Sequence, residues 1–265
     1  MVPTLSMVFM AISAIVSIGL PIALGIIWHK RTGAKASSLF IGAAAFVVFA
    51  MILENICHRL VLYGSGSCAA FMQSNLWAYG LYGVLAAGVF EETGRLCAFK
   101  LLFKKKDDRC ESVMYGIGHG GVEAVLVSGL TMISYIVLSV IINVSGGMAG
   151  LTALGMGESQ TSALMAAFTV TNPFMYLVSG IERIIAIAFH ISMSVLVFAA
   201  VKQKGRGWYY PLAIGLHALL DLGAMAYQTG VIKSIIATEG YVLVFTALCV
   251  LLAVKVYRGM TPKPE

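Results

Sequence analysis

An all-α bundle crossing a membrane about seven times, with the N-terminus outside and the C-terminus cytoplasmic, is the fold that the sequence predicts. Three observations predict it. Hydrophobic residues make up 59% of the 265 and charged residues only 11%, with a mean hydropathy of +0.90, far beyond the balance of a water-soluble domain. Apolar runs of roughly 20 residues, enough to cross a hydrocarbon core about 30 Å thick, recur along the chain. Lys and Arg gather in alternate connections between those runs, the pattern expected of cytoplasmic loops.

The runs lie near residues 5–28, 38–62, 76–103, 112–142, 173–201, 208–229 and 239–257. The first has no Lys or Arg before Lys30 and is longer than a signal-peptide core, so it reads as a retained helix. Lys30, Arg31 and Lys35 follow it. The second carries Glu54, His58 and Arg59 near its outer end, where a membrane histidine ordinarily bonds helix to helix. The third ends in Lys100, Lys104, Lys105, Lys106 and Arg109, and the fourth contains Gly116, Gly118, Gly120 and Gly121, which favour close helix approach. Residues 143–172 form a lysine-free connection with Leu151, Leu154, Leu164 and Phe168 available for an apolar face. It reads as an interfacial helix, the alternatives being a loop dipping into the bundle or a lid. The fifth run holds Glu182 and Arg183, expected to pair, and is followed by Lys202, Lys204 and Arg206. Lys255, Arg258 and Lys263 follow the seventh.

The net charge of +6 therefore sorts by membrane side and does not imply nucleic acid. Five cysteines show no framework or metal-pair spacing. No soluble domain or repeat interrupts the pattern, so residues 1–265 read as a single transmembrane domain with membrane lipid as its surroundings.

Function is expected where ionisable residues enter the apolar runs, because a charge at mid-membrane costs about 2.5 to well over 10 kcal/mol unless it meets a partner or water. Eight such residues lie on four successive runs: Glu91, Glu92 and Arg95; His119 and Glu123; His190; His217 and Asp221. Counted from the basic ends they fall in one slab, roughly 10 to 20 Å deep. Glu91 and Arg95, His119 and Glu123, and His217 and Asp221 are each four apart, so each pair shares a helix face. Arg95 is placed to neutralise one carboxylate and leave the other to the histidines, a combination suited to water activation. The ring nitrogens of the three histidines are expected within about 10 Å of one another and of a Glu91 or Glu92 oxygen, with a water path to the basic face. Three histidines and a carboxylate also suit zinc, with His119, His190, His217 and Glu91 as candidate ligands. No HExxH is present, and the balance lies slightly toward a metal-free mechanism.

The Glu91-Glu92-x-x-Arg95 run, Tyr115-x-x-x-His119 and His217-x-x-x-Asp221 resemble the motifs of the CAAX-protease and PrsW-like intramembrane peptidases. With His119-Gly-Gly-Val-Glu123 and His190 added, the chain resembles the YhfC family in particular, over about residues 75–230. The Arg is one residue closer than in CAAX proteases, and Asp221 stands where those have Asn or Asp. The resemblance implies an intramembrane protease of a bacterial plasma membrane acting on a membrane-embedded peptide or protein. It implies Glu91 as general base assisted by His119, with His217 and Asp221 at the scissile carbonyl. Two other classes compete. A proton-coupled transporter would show inverted repeats, which are not found here. A non-catalytic scaffold, as in the γ-secretase assembly of the same wider superfamily, would not need both Glu91 and Glu92.

Overall fold

Runs of Leu, Val, Ile and Ala offer backbone amides no partner in lipid except their own chain, so each run closes its hydrogen bonds as a helix. The computed structural model describes residues 1–104 and 108–260; Lys105, Lys106 and Lys263 of the basic pattern lie outside the described residues. The helices are α1 (Thr4–Thr32), α2 (Ala36–Phe46), α3 (Asn55–Val61), α4 (Ser67–Ser74), α5 (Leu76–Leu101), α6 (Cys110–Glu123), α7 (Leu130–Val144), α8 (Ala149–Ala153), α9 (Glu158–Val170), α10 (Phe174–Lys202), α11 (Tyr209–Gln228) and α12 (Ile235–Arg258). Wider π-helical turns join α2 to α3 over Val47–Glu54 and α6 to α7 over Ala124–Gly129.

Among the described residues, five helical stretches are long and apolar enough to cross a membrane: α1, Ala36–Val61, Cys110–Val144, α10 and α12. They make this an integral, multi-pass membrane protein. The other two expected spans, α5 and α11, form helices of 26 and 20 residues. They are less apolar for a physical reason: α5 carries Glu91, Glu92, Arg95 and Lys100, and α11 carries His217 and Asp221.

The chain divides into two compact units, one of residues 1–22 and 123–184, the other of 23–122 and 185–265. In the first, Met10 and Ala14 of α1 pack with Met132, Ile142, Leu151, Phe168 and Tyr176. Asn143 clamps the backbone of Val2, accepting from its N–H at 2.7 Å and donating to its carbonyl at 3.0 Å. The 143–172 connection contributes Leu151, Leu164 and Phe168 to this core, while Leu154 is exposed.

In the second unit α5 and α11 pack antiparallel, Gly88 of α5 lying against Ile214 and His217 and Gly80 against Met225. Helix α6 is held at backbone contact on two sides: Gly118 meets the Leu39 backbone of α2, and Gly116 the backbone of His190 and Ile191 on α10. This fulfils the packing role expected of Gly116 and Gly118. A methyl at Gly118 would collide with the Leu39 carbonyl, whereas one at Gly215 would meet nothing within 4 Å. Gly118→Ala should therefore cost about 1–3 kcal/mol by overpacking, and Gly215→Ala should be neutral or slightly stabilising. Thermal unfolding in one detergent compares the two, and equal melting temperatures would contradict the packing account.

The basic connections meet at one end of this unit. Arg109 donates to the Tyr257 carbonyl at 2.9 Å and its guanidinium lies 4.7 Å over the Tyr257 ring. Lys202 donates to the Phe103 carbonyl, Arg206 to that of Gly259, and Trp28 to that of Cys110. Buried Glu111 accepts from the Lys35 N–H and the Ser38 hydroxyl, capping the start of α2. Between this end and the polar residues lies an aromatic core in which Phe99 packs on Phe103, Tyr115 and Phe198 at 5.0, 4.6 and 5.2 Å.

Candidate functional site

Four helices of the second unit bring seven of the eight polar residues together. Helix α5 supplies Glu91, Glu92 and Arg95, α6 supplies His119, α10 supplies His190, and α11 supplies His217 and Asp221. Glu91 stands at the centre. Its Oε2 accepts from His119 Nε2 at 2.9 Å and lies 3.7 Å from His190 Nδ1, and its Oε1 lies 3.8 Å from His217 Nε2. The rings of His119 and His190 are 5.3 Å apart and those of His190 and His217 are 5.7 Å apart. The expected convergence of three imidazoles on one carboxylate is thus present.

Arg95 divides the two glutamates. Its Nη1 donates to Glu92 Oε1 at 2.6 Å, whereas its Nη2 is 3.7 Å from Glu91 and donates to His190 Nδ1 at 2.7 Å. Both members of the close pair have fully buried side chains. Glu92 Oε1 also receives His217 Nδ1 at 2.8 Å, and since a carboxylate can only accept, His217 presents Nε2 to Glu91 and, at 3.7 Å, to Asp221. Asp221 is the most exposed of the seven, with 31% of its side chain accessible.

Aromatic rings fix the imidazoles. Phe46 meets His119 edge-on at 5.2 Å, Tyr115 stacks beside it at 5.9 Å, and Phe189 meets the His217 ring at 5.2 Å. Ser194, one turn beyond His190, accepts from Arg95 Nε at 3.3 Å and donates to the His190 carbonyl. Sequence reasoning missed Phe46, Phe189 and Ser194. Ser194 could have been found from its four-residue spacing to His190, whereas the Phe46 contact has no local signature.

Glu123 is engaged elsewhere, with Arg183 Nη1 at 2.7 Å, and Arg183 also binds Glu182 at 2.5 Å. The expected Glu182–Arg183 pair is therefore a triad that includes Glu123. Near the other end of α5, His58 bonds Glu54 at 3.3 Å and the Tyr82 hydroxyl at 3.0 Å, the helix-to-helix role expected for it. His58→Ala should leave hydrolytic turnover within about 2-fold of wild type, since it removes only a tie of the kind worth about 0.6 kcal/mol in membranes. A greater than tenfold loss in a proteoliposome assay would move His58 into the site.

Toward the basic end the site is backed by aromatic packing. Phe99, Phe103, Tyr115 and Phe198, all at most 1% exposed, fill that side. A cavity of about 430 Å³ instead touches Asp221 and runs between α5 and α11 toward Leu76 and Thr229, at the opposite end.

The donor set fits a divalent metal. One carboxylate oxygen and one nitrogen each from Glu91, His119 and His190 lie within 4.8 Å of one another. Glu91, Glu92 and Asp221 outnumber the single guanidinium of Arg95, an excess of carboxylates that favours a cation. Buried His119 Nδ1 and Glu92 Oε2 have no hydrogen-bond partner among the described residues, as is common where an ion, water or substrate completes a site. Two histidines and a glutamate are moreover a recurrent catalytic zinc set.

Comparison with known proteins agrees with this chemistry. The sequence profile described as "YhfC intramembrane metalloprotease" matches residues 16–242. The chain is 39% identical over 259 residues to the Bacillus subtilis (strain 168) protein named "Uncharacterized membrane protein YhfC", covering 97% of this chain and 99% of that one. No solved structure matches. A buried Glu/His/His cluster in a multi-pass helical protein, and a family profile spanning most of its length, establish that the chain belongs to the YhfC intramembrane metalloprotease family.

Proposed function

We propose that this protein is an intramembrane peptidase that hydrolyses peptide bonds of membrane-embedded substrates at the Glu91 cluster. The observation that carries the reading is the convergence of His119, His190 and His217 on a single buried carboxylate, at 2.9, 3.7 and 3.8 Å. Buried titratable groups gathered around one carboxylate are the kind of cluster from which reactive centres are built. Glu91, His119 and His190 would hold a zinc ion, and the chemistry that such an ion supplies is water activation and polarisation of the scissile carbonyl.

The chain's own residues do the rest. Arg95 fixes Glu92, and Glu92 holds His217 by Nδ1, so His217 Nε2 faces the Glu91 and Asp221 carboxylates, placed to hold or pass a proton at the centre. Phe46, Tyr115 and Phe189 hold the rings and keep bulk water out. Asp221, beside His217 Nε2, is the carboxylate through which the cavity reaches the site.

In this reading α5 and α11 also cross the membrane, giving seven spans in a bacterial plasma membrane. The basic end faces the cytoplasm. A reporter fused at the C-terminus should then read cytoplasmic and one inserted near Gly157 external; the reverse pair would invert the topology. Purified protein in proteoliposomes should cleave quenched membrane peptides, and solute uptake without cleavage would replace the peptidase by a transporter.

A further inference from the structure

One cavity reaches the cluster at Asp221. Toward the basic end, the buried rings of Phe99, Phe103, Tyr115 and Phe198 pack beneath the cluster. Toward the other end, the cavity begins at Asp221 and passes Gly83 and Ala224 to a rim that includes Tyr79, Gln228 and Thr229. Its rim residue Tyr79 is 39% exposed. Its size falls within the roughly 300–1,000 Å³ range of ligand sites.

Chemistry along the cavity selects its occupant. Tyr79 and Gln228 offer a hydroxyl and an amide, and Thr229, whose hydroxyl donates to the Met225 carbonyl at 2.8 Å, offers an acceptor oxygen; together they suit the exposed N–H and C=O groups of an uncoiled peptide. No Lys or Arg lines it, and its inner end carries the carboxylate of Asp221. An acidic segment or an anionic headgroup meets repulsion there; a neutral or basic peptide does not. The passage is open at Gly83, where a Cβ would meet nothing within 4 Å.

We propose that the cleft between α5 and α11 is the substrate channel, admitting an uncoiled, neutral-to-basic peptide segment from the membrane face opposite the Lys- and Arg-rich ends and delivering its scissile bond past Asp221. The proposal rests on the peptidase reading for its substrate, while the position and side of the channel can be tested without it. In a chain whose native cysteines are replaced by alanine, Gly83→Cys and Ala224→Cys should each react with a membrane-impermeant maleimide added at the face opposite the basic ends. Reaction only from the basic face, or from neither, would overturn the channel. Gly83→Trp and, on the facing wall, Ala224→Leu should lower kcat/KM for a membrane peptide by about 10²-fold with zinc content and melting temperature unchanged. Cleavage at the wild-type rate by both variants would also overturn it. Peptides with Lys beside the scissile bond should be cleaved about 10-fold better than those with Glu, and equal rates would remove the charge argument. Absence of cleavage by the wild-type protein would defeat the peptidase reading, and the labelling would still decide where the channel lies.

Discussion

Glu91→Gln should abolish peptide hydrolysis, lowering kcat by about 10²–10⁴-fold, the usual worth of a proton-transfer or ligand group at a reacting centre. The protein should remain folded, because glutamine has the same shape and Glu91 is not the close ion-pair partner of Arg95, from which it lies 3.7 Å away. His119→Ala should match this loss, since its Nε2 is the nearest imidazole nitrogen to the Glu91 carboxylate. Turnover by proteoliposomes containing each variant, beside a melting curve in detergent, separates lost chemistry from lost fold. A Glu91→Gln protein cleaving at near the wild-type rate would remove Glu91 from the mechanism.

The largest effect on stability should come from Arg95→Met. Arg95 and Glu92 are both completely buried and joined at 2.6 Å, so removing the guanidinium strands a carboxylate in low dielectric. Breaking a buried pair in this way costs about 3–5 kcal/mol. Arg95 also holds His190 Nδ1 and Ser194, so the loss includes two further hydrogen bonds. Glu92→Gln added to Arg95→Met should recover most of the stability, because the stranded charge is gone, but not activity, because His217 loses its ionised partner. Melting temperatures of the single and double variants report this coupling. A single variant as stable as wild type would show that the pair is not electrostatically buried.

Much of this arrangement can be read from residue spacing. Charges inside apolar runs marked the four helices, and their equal depth marked one site, because helix rise converts residue count into position along the membrane normal. Spacing also identified Arg95 as a carboxylate's partner. It misassigned Glu123. A four-residue step from His119 keeps Glu123 on the same face but raises it about 6 Å, where Arg183 takes its carboxylate. The π-helical segments were not legible, since nothing in Val47–Glu54 or Ala124–Gly129 distinguishes a wide turn from an ordinary one. Yet the first of them begins just after Phe46, the residue set against His119, and presents Phe49 to Gly94, one residue from Arg95. Such turns often mark functional sites. The cavity beside Asp221 was not legible for a related reason: depth counting places a group along a helix but says nothing about the side chains above and below it, such as Phe99, Phe103 and Phe198.

Zinc content of the protein purified without chelators, measured by elemental analysis on wild type, His119→Ala, His190→Ala and His58→Ala, tests most directly whether Glu91, His119 and His190 form one metal-holding catalytic centre. The account predicts one zinc per chain in the wild type and in His58→Ala, and little or none in His119→Ala and His190→Ala. A wild type free of zinc, or zinc retained in full by both cluster variants, would contradict it.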